Sequence, residues 1–123
     1  MTTPSTTTCS RGDIVLVPFQ FTGKAVFKRR PALVVSSGVY HSGRQEVIIA
    51  ALTSRIRKPL LVDDHLIQRW RESGLPKPSV VTAILRTVKA AMIVRRLGSL
   101  HRQDLRSVDE CLGEALALTA GPD

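Results

Sequence analysis

Glu46-Val47-Ile48-Ile49-Ala50-Ala51-Leu52-Thr53 is the stretch that decides the fold of this chain. Six apolar residues run without interruption between polar ends. A half-exposed strand would alternate, so a continuous run predicts a strand covered on both faces, as in a small closed barrel. Reading outward toward the N-terminus, 31–36 is a second strand, joined to the first by 37–45, where Gly38, Ser42 and Gly43 supply turn residues. A third, 14–17, is rich in β-branched residues and is predicted to stop at Pro18. Downstream, 64–73 reads as a short helix, with Asp63 or Asp64 as cap, Leu66, Ile67 and Trp70 on one side and Gly74 at its end. Segments 79–85 and 87–94 read as strands. The clearest helix is 102–118, with Leu105, Val108, Leu112, Ala115 and Leu116 at helical spacing. Five or more short strands and one late helix make a β-rich α+β domain. A parallel sheet is not expected, because no crossover helices separate the strands.

The 123 residues suit a single domain, 11–120, preceded by a Thr-rich tail, 1–10, that reads as disordered and lacks the basic and apolar regions of a secretory signal. No apolar run approaches the ~20 residues of a membrane span. Cys9 and Cys111 form no CxxC pair and have no histidine at ligand spacing, so neither a zinc site nor a disulfide framework is indicated. A reducing cytoplasm fits best, and Cys111 is expected to pack as a small hydrophobe.

The net charge is +8, and its distribution is uneven. Between Ile14 and Val62 the only acid is Glu46, set against Lys24, Lys28, Arg29, Arg30, Arg44, Arg55, Arg57 and Lys58. Half of the ten acids follow Gln103. A basic body with its acids gathered at one end implies a polyanionic partner, either nucleic acid or an acidic protein segment.

The common enzyme signatures are missing: no glycine-rich phosphate loop, no GxSxG and no HExxH. His41, His65 and His101 are scattered in predicted turns and helix starts, where a solvated surface role is expected, so paired-histidine acid–base catalysis is not supported. What remains is a set of arginines and hydroxyls at strand ends. If 31–36 and 46–53 form an antiparallel hairpin, Arg30 and Thr53 become neighbours on one rim. A guanidinium fork and a hydroxyl there suit two-point binding of a phosphodiester. From the residues alone, a solvated edge cation beside an ordinary strand terminus fits as well.

Five segments, in order, carry a resemblance to a known family. Arg11-Gly12-Asp13-Ile14-Val15 resembles the opening strand of the MazF/PemK toxins. Arg29-Arg30-Pro31-Ala32-Leu33-Val34-Val35-Ser36 is similar to their "RRPxLVVS" strand, and Val47-Ile48-Ile49-Ala50-Ala51-Leu52-Thr53-Ser54 to their "VIVAxITS" strand. Gly74-Leu75 with Ser79-Val80-Val81 and Arg86-Thr87, and then Leu97-Gly98-Ser99-Leu100, resemble two further family motifs. The resemblance implies a dimeric SH3-like β-barrel with a C-terminal helix. It also implies a toxin endoribonuclease that cleaves single-stranded RNA without a metal or other cofactor. In that reaction the ribose 2′-OH attacks phosphorus and leaves a 2′,3′-cyclic phosphate and a 5′-OH. A cognate acidic antitoxin of MazE/PemI type would restrain it. Carried over, Arg30 and Thr53 are the implied catalytic pair. Phe19, Phe21, Lys28, Arg55, Arg57, Thr82 and Arg86 are the implied RNA-binding residues. The connection from Phe19 to Lys28, with aromatics beside cations, matches in position the loop that covers the RNA groove in relatives.

The resemblance breaks before Arg86. Relatives carry an Asp-Gln pair, or an Arg and an Asp, where this chain has Thr82-Ala83-Ile84-Leu85. Three readings follow: Arg30 and Thr53 act alone, Thr82 or Arg86 substitutes, or activity is weak. Two other functions are compatible with the chain. One is a CcdB-like toxin, which has this fold and acts by binding gyrase without cleaving RNA. The other is a plain basic nucleic-acid-binding module.

Overall fold

The computed structural model describes residues 9–19 and 28–118. Strands β1 (Asp13–Phe19), β2 (Lys28–Val34), β3 (Glu46–Thr53), β4 (His65–Leu66), β5 (Val80–Lys89) and β6 (Arg95–Ser99) form one sheet in the order β4-β5-β3-β2-β1-β6. Every pairing is antiparallel. Helix α1 (Gly38–Ser42) sits between β2 and β3, a 3₁₀ turn (Ala90–Met92) between β5 and β6, and helix α2 (Arg102–Leu116) ends the described chain.

Alternate side chains of the same strands enter two cores. Ile14, Leu33, Ala50 and Leu52 join Val81, Val108 and Leu112 beneath α2. Val15, Val17, Phe19, Ala32, Val34, Val47, Ile49 and Ala51 form the second, closed off by Ile93. The apolar run of β3 is therefore covered on both faces, as its continuity predicts. The sheet also curls. The Arg86 guanidinium of β5 lies 5.5 Å from the Phe19 ring of β1, although β3 and β2 stand between those strands. A flat sheet would hold β5 and β1 about 14 Å apart, three strand spacings. The result is a half-barrel with the C-terminal helix against one face.

Several predicted boundaries move. Pro18 does not stop β1, which runs to Phe19. Here β6 has already ended, since it pairs only with Asp13 through Leu16, and a strand with a neighbour on one side tolerates proline. The second strand occupies Lys28–Val34 rather than 31–36, and the predicted turn 37–45 contains α1, capped by the Ser37 hydroxyl. The two strands predicted on either side of Arg86 are one, β5, because Arg86 pairs opposite Ile49 and sends its guanidinium over Phe19. Strand β6, with adjacent Arg95 and Arg96, was not expected. An edge strand needs only one paired side, and β1 provides it.

The largest correction is 64–73, which is not a helix. His65 and Leu66 pair with Val81 and Val80, and turns follow. Asp64 caps nothing downstream, since its carboxylate accepts from Leu61 N. The free amides of Gln68 and Arg69 are taken instead by Asp104 of α2, 36 and 35 residues away. Helix α2 runs from Arg102 to Leu116 rather than to 118, stopped by Ala117 in the left-handed conformation (φ 56°). Cys9, assigned to the tail, packs beside the second core, and Ser10 N donates to Asp13.

Two motif glycines meet where β6 passes the turn before β5. A Cβ on Gly98 would lie 2.2 Å from the Ser73 carbonyl oxygen, and one on Gly74 would lie 2.2 Å from that of Leu97. Gly74 also has φ +88°. This backbone-to-backbone contact anchors the turn that delivers 75–79 to the site.

Candidate functional site

Strand β2 begins with Lys28, Arg29 and Arg30 at the end of the sheet where β3 finishes with Thr53. The register pairs Ala32 with Ala51 and Leu33 with Ala50. Continued by two residues, it sets Arg30 beside Thr53. Strand parity puts both on the face of Ala32, Val34 and Ala51, whereas Arg29 falls on the face of Leu33.

Arg30 and Thr53 line one cavity of about 270 Å³ together with Leu52, Arg55 and Lys77. Thr53 Oγ1 accepts a hydrogen bond from Arg55 N at 3.1 Å, which fixes the side chain. A hydroxyl that accepts in this way keeps its own proton to donate. Three cations thus surround one oriented hydroxyl donor, an arrangement suited to a phosphate. Thr53 and Arg55 also line a neighbouring cavity of about 880 Å³ that includes Arg57, Asp63, Asp64 and Thr82. Lys77 belongs to none of the candidates drawn from the sequence. It reaches the cavity because Pro76 and Pro78 flank it in the turn held by Gly74 and Gly98. The two flanking prolines were the available signal.

The other candidates divide. Lys28, Arg55, Arg57 and Arg86 are exposed cations. The Thr82 hydroxyl donates to Ala51 O at 2.8 Å and accepts from Ile84 N at 3.1 Å. It thereby closes the gap where the β3–β5 register shifts between Ala50 and Leu52. That hydroxyl is committed to the backbone and is not a replacement for an acid. Phe19 is 4% exposed and covered by Arg86, which leaves no face for a base, so its expected stacking role gives way to a core role. Phe21 lies outside the described residues.

The histidines are not solvated surface groups. His41 Nε2 shares a hydrogen bond with the Ser36 hydroxyl, which also accepts from Ile48 N. His101 Nδ1 accepts from Gln103 N as the cap of α2, and His65 bonds to Asp104. His65 ties β4 to α2, whereas the bonds of His41 and His101 are local, at the starts of α1 and α2. Burial pushes the Cys111 thiol up, reinforced by Asp63, Glu110 and Asp64, as befits packing rather than nucleophilic chemistry. Among the described residues, no three His, Cys, Asp or Glu side chains converge as a metal site would need, and no helix is long and apolar enough to cross a membrane.

Residues 10–116 match the model of the family described as PemK-like, MazF-like toxin of type II toxin-antitoxin system. The chain belongs to this family. Solved structures of the same fold include the Mycobacterium tuberculosis toxin MazF-mt6 (23% identity over 87% of this chain and 98% of that one, TM-score 0.70). An endoribonuclease in complex with its cognate antitoxin from Mycobacterial species superimposes with TM-score 0.74 at 18% identity, covering 93% and 100%. A MazE–MazF complex from Deinococcus radiodurans does so with 0.68 at 22%, covering 90% and 97%. No curated protein matches the sequence significantly.

Proposed function

We propose that this chain is a toxin endoribonuclease that cuts single-stranded RNA by attack of a ribose 2′-OH on the adjacent phosphorus, leaving a 2′,3′-cyclic phosphate and a 5′-OH. The observation that carries this reading is the meeting of Arg30, Thr53, Arg55 and Lys77 in one cavity. The phosphorane-like transition state gathers negative charge on its non-bridging oxygens. The Thr53 hydroxyl donates to one of them and holds the phosphate in place. Arg30 sets permanent charge and fixed donors against the other, while the proton released by the 2′-OH passes through water to the leaving 5′-oxygen. Arg55 and Lys77 hold the flanking phosphates. With the family's acid absent before Arg86 and Thr82 bonded to the backbone, Arg30 and Thr53 carry the chemistry.

The test is incubation of the purified protein with a long single-stranded RNA, with and without EDTA. Cut products ending in a 2′,3′-cyclic phosphate, at the same rate in both, are expected. Cleavage that stops with EDTA and returns with a divalent ion would overturn this mechanism. RNA bound but never cut would leave a binding module.

We further propose that the active species is a homodimer restrained by an acidic antitoxin segment lying along Lys28, Arg30, Arg55, Arg57 and Arg86. Two solved relatives are complexes with an antitoxin or with MazE. A groove able to hold phosphates also attracts a flexible chain of Asp and Glu. Such a peptide should compete with a short RNA, and added salt should slow its association steeply. Simultaneous, independent binding of both would exclude a shared groove. Light scattering should give twice the 13.5 kDa of the chain, and a monomer at micromolar concentration would contradict the dimer.

A further inference from the structure

Asp104, in the first turn of α2, is 2% exposed, and its carboxylate is fully engaged outside its own helix. Oδ1 accepts from His65 Nε2 at 2.7 Å and from Gln68 N at 2.9 Å, while Oδ2 accepts from Arg69 N at 3.0 Å. Burial alone would push this carboxyl up. The Gln68 amide, His65 and the Arg69 amide outweigh burial and hold it below the usual carboxylate range. All three partners lie between 65 and 69, the segment linking the wall of the larger cavity to the turn before β5. From there the path to the site is short. Strand β4 pairs with Val80 and Val81, Ile67 N donates to Ser79 O at 3.0 Å, and Val80 pairs with Thr53. Asp63 and Asp64, next to His65, line the same cavity as Thr53.

We infer that Asp104 is a positioning residue for the proposed RNA site, acting through His65, Gln68 and Arg69 to hold β4 against β5 and so to fix Thr53 and its cavity wall. The inference rests on the endoribonuclease reading above. Strand β4 has two residues and two ladder pairs, too few to hold a segment in place. Ile67, buried in the core and bonded to Ser79 O, adds hold, and α2 supplies the rest at Asp104, at Gln103 on Arg69, and two turns later where Cys111 Sγ meets Asp64 O at 3.8 Å. Removing the carboxylate leaves two amides and an imidazole without an acceptor, and the loosely tied segment is the first to open. The cations proposed to attract RNA stand off the 65–69 segment itself, on β2, in the 54–58 and 75–79 turns and, as Arg86, five residues along β5 from its pairing with β4. Loss of the tie should therefore misplace the Thr53 donor without weakening phosphate attraction.

The experiment compares wild type with Asp104→Ala, Asp104→Asn, His65→Gln and His65→Phe at a temperature where circular dichroism shows each folded. Cleavage of a short fluorogenic RNA and amide hydrogen exchange are both read. Asp104→Ala should lower kcat at least tenfold with KM nearly unchanged, and should speed exchange at Val80, Val81 and Thr53 but not at Ile14 or Leu33. His65→Gln, which keeps a donor for Oδ1, should retain most activity, whereas His65→Phe should not. If Asp104→Ala fails to fold, Asp104→Asn and the His65 pair decide the matter. An unchanged kcat in the folded variants, or exchange that accelerates equally across β1 and β2, would overturn the inference. A wild type that does not cut RNA would instead sink the endoribonuclease reading, and the exchange pattern would still report whether Asp104 holds β4 and Thr53.

Discussion

Alanine at Arg30 or at Thr53 should lower RNA cleavage by about 10²–10³-fold each, because donors aimed at developing charge each contribute roughly 3–4 kcal/mol to the transition state. Alanine at Arg29 should leave cleavage nearly intact. The contrast is geometric. Arg29 and Arg30 are adjacent, carry the same charge and lie at the same end of β2, yet strand alternation sends them to opposite faces. Only Arg30 shares the cavity with Thr53. A bulk electrostatic effect would make the two arginines equivalent, so the pair separates catalysis from attraction. The Arg30→Ala and Thr53→Ala losses should also be far from additive, since both groups serve one phosphate. Single-turnover rates on a short RNA, with circular dichroism to establish the fold, provide the measurement. Equal losses at Arg29 and Arg30 would place the site on the wrong face of β2.

Gly98→Ala should destabilise the fold by about 3 kcal/mol, with Tm falling by roughly 10 °C or more. Its Cβ would meet the Ser73 carbonyl oxygen at 2.2 Å and the carbonyl carbon at 2.8 Å. Those atoms are backbone, so no side chain can swing aside. Gly74→Ala meets Leu97 in the same way, at a φ of +88° that adds strain. Each substitution pushes the same two segments apart, so the double variant should cost clearly less than the sum of the singles. Gly38→Ala is the control. Nothing lies within 4 Å of its Cβ position, and alanine in α1 should be neutral or slightly stabilising. Additive losses at Gly74 and Gly98, or a melting curve unmoved by Gly98→Ala, would refute the contact. Because the Gly74 turn carries Lys77 to the cavity, Gly98 variants should also weaken RNA binding beyond their loss of folded protein.

Some elements could be read directly because their chemistry is local. The apolar run of β3 could only be covered on both sides, and the 3.6-residue period of α2 is unbroken from Leu105 to Leu112. The hairpin register that brings Arg30 to Thr53 follows from two strands and a short connection. Elements that depend on distant partners differ from what their local pattern predicts. Residues 64–73 have the apolar spacing of a helix and the hydrogen-bonding acids to start one. Their amides are taken by Asp104 and their first residues by β5, so tertiary bonding overrides local preference. Strand β6 looks like a polar connection because an edge strand needs backbone pairing more than burial.

By itself, then, the chain's order of residues determined a β-rich domain and a basic body, and it set Arg30 near Thr53 on condition that their strands form a hairpin, since each depends on alternation, charge or register. Only the tertiary structure decided the rest. Phe19 is buried and covered by Arg86 because the sheet curls. Thr82 spends its hydroxyl on a bulge in the β3–β5 ladder. Lys77 joins the cavity because two glycines far apart in sequence let one backbone rest on another. Curl, bulge and close approach all arise from contacts between segments many residues apart, and no local pattern records them.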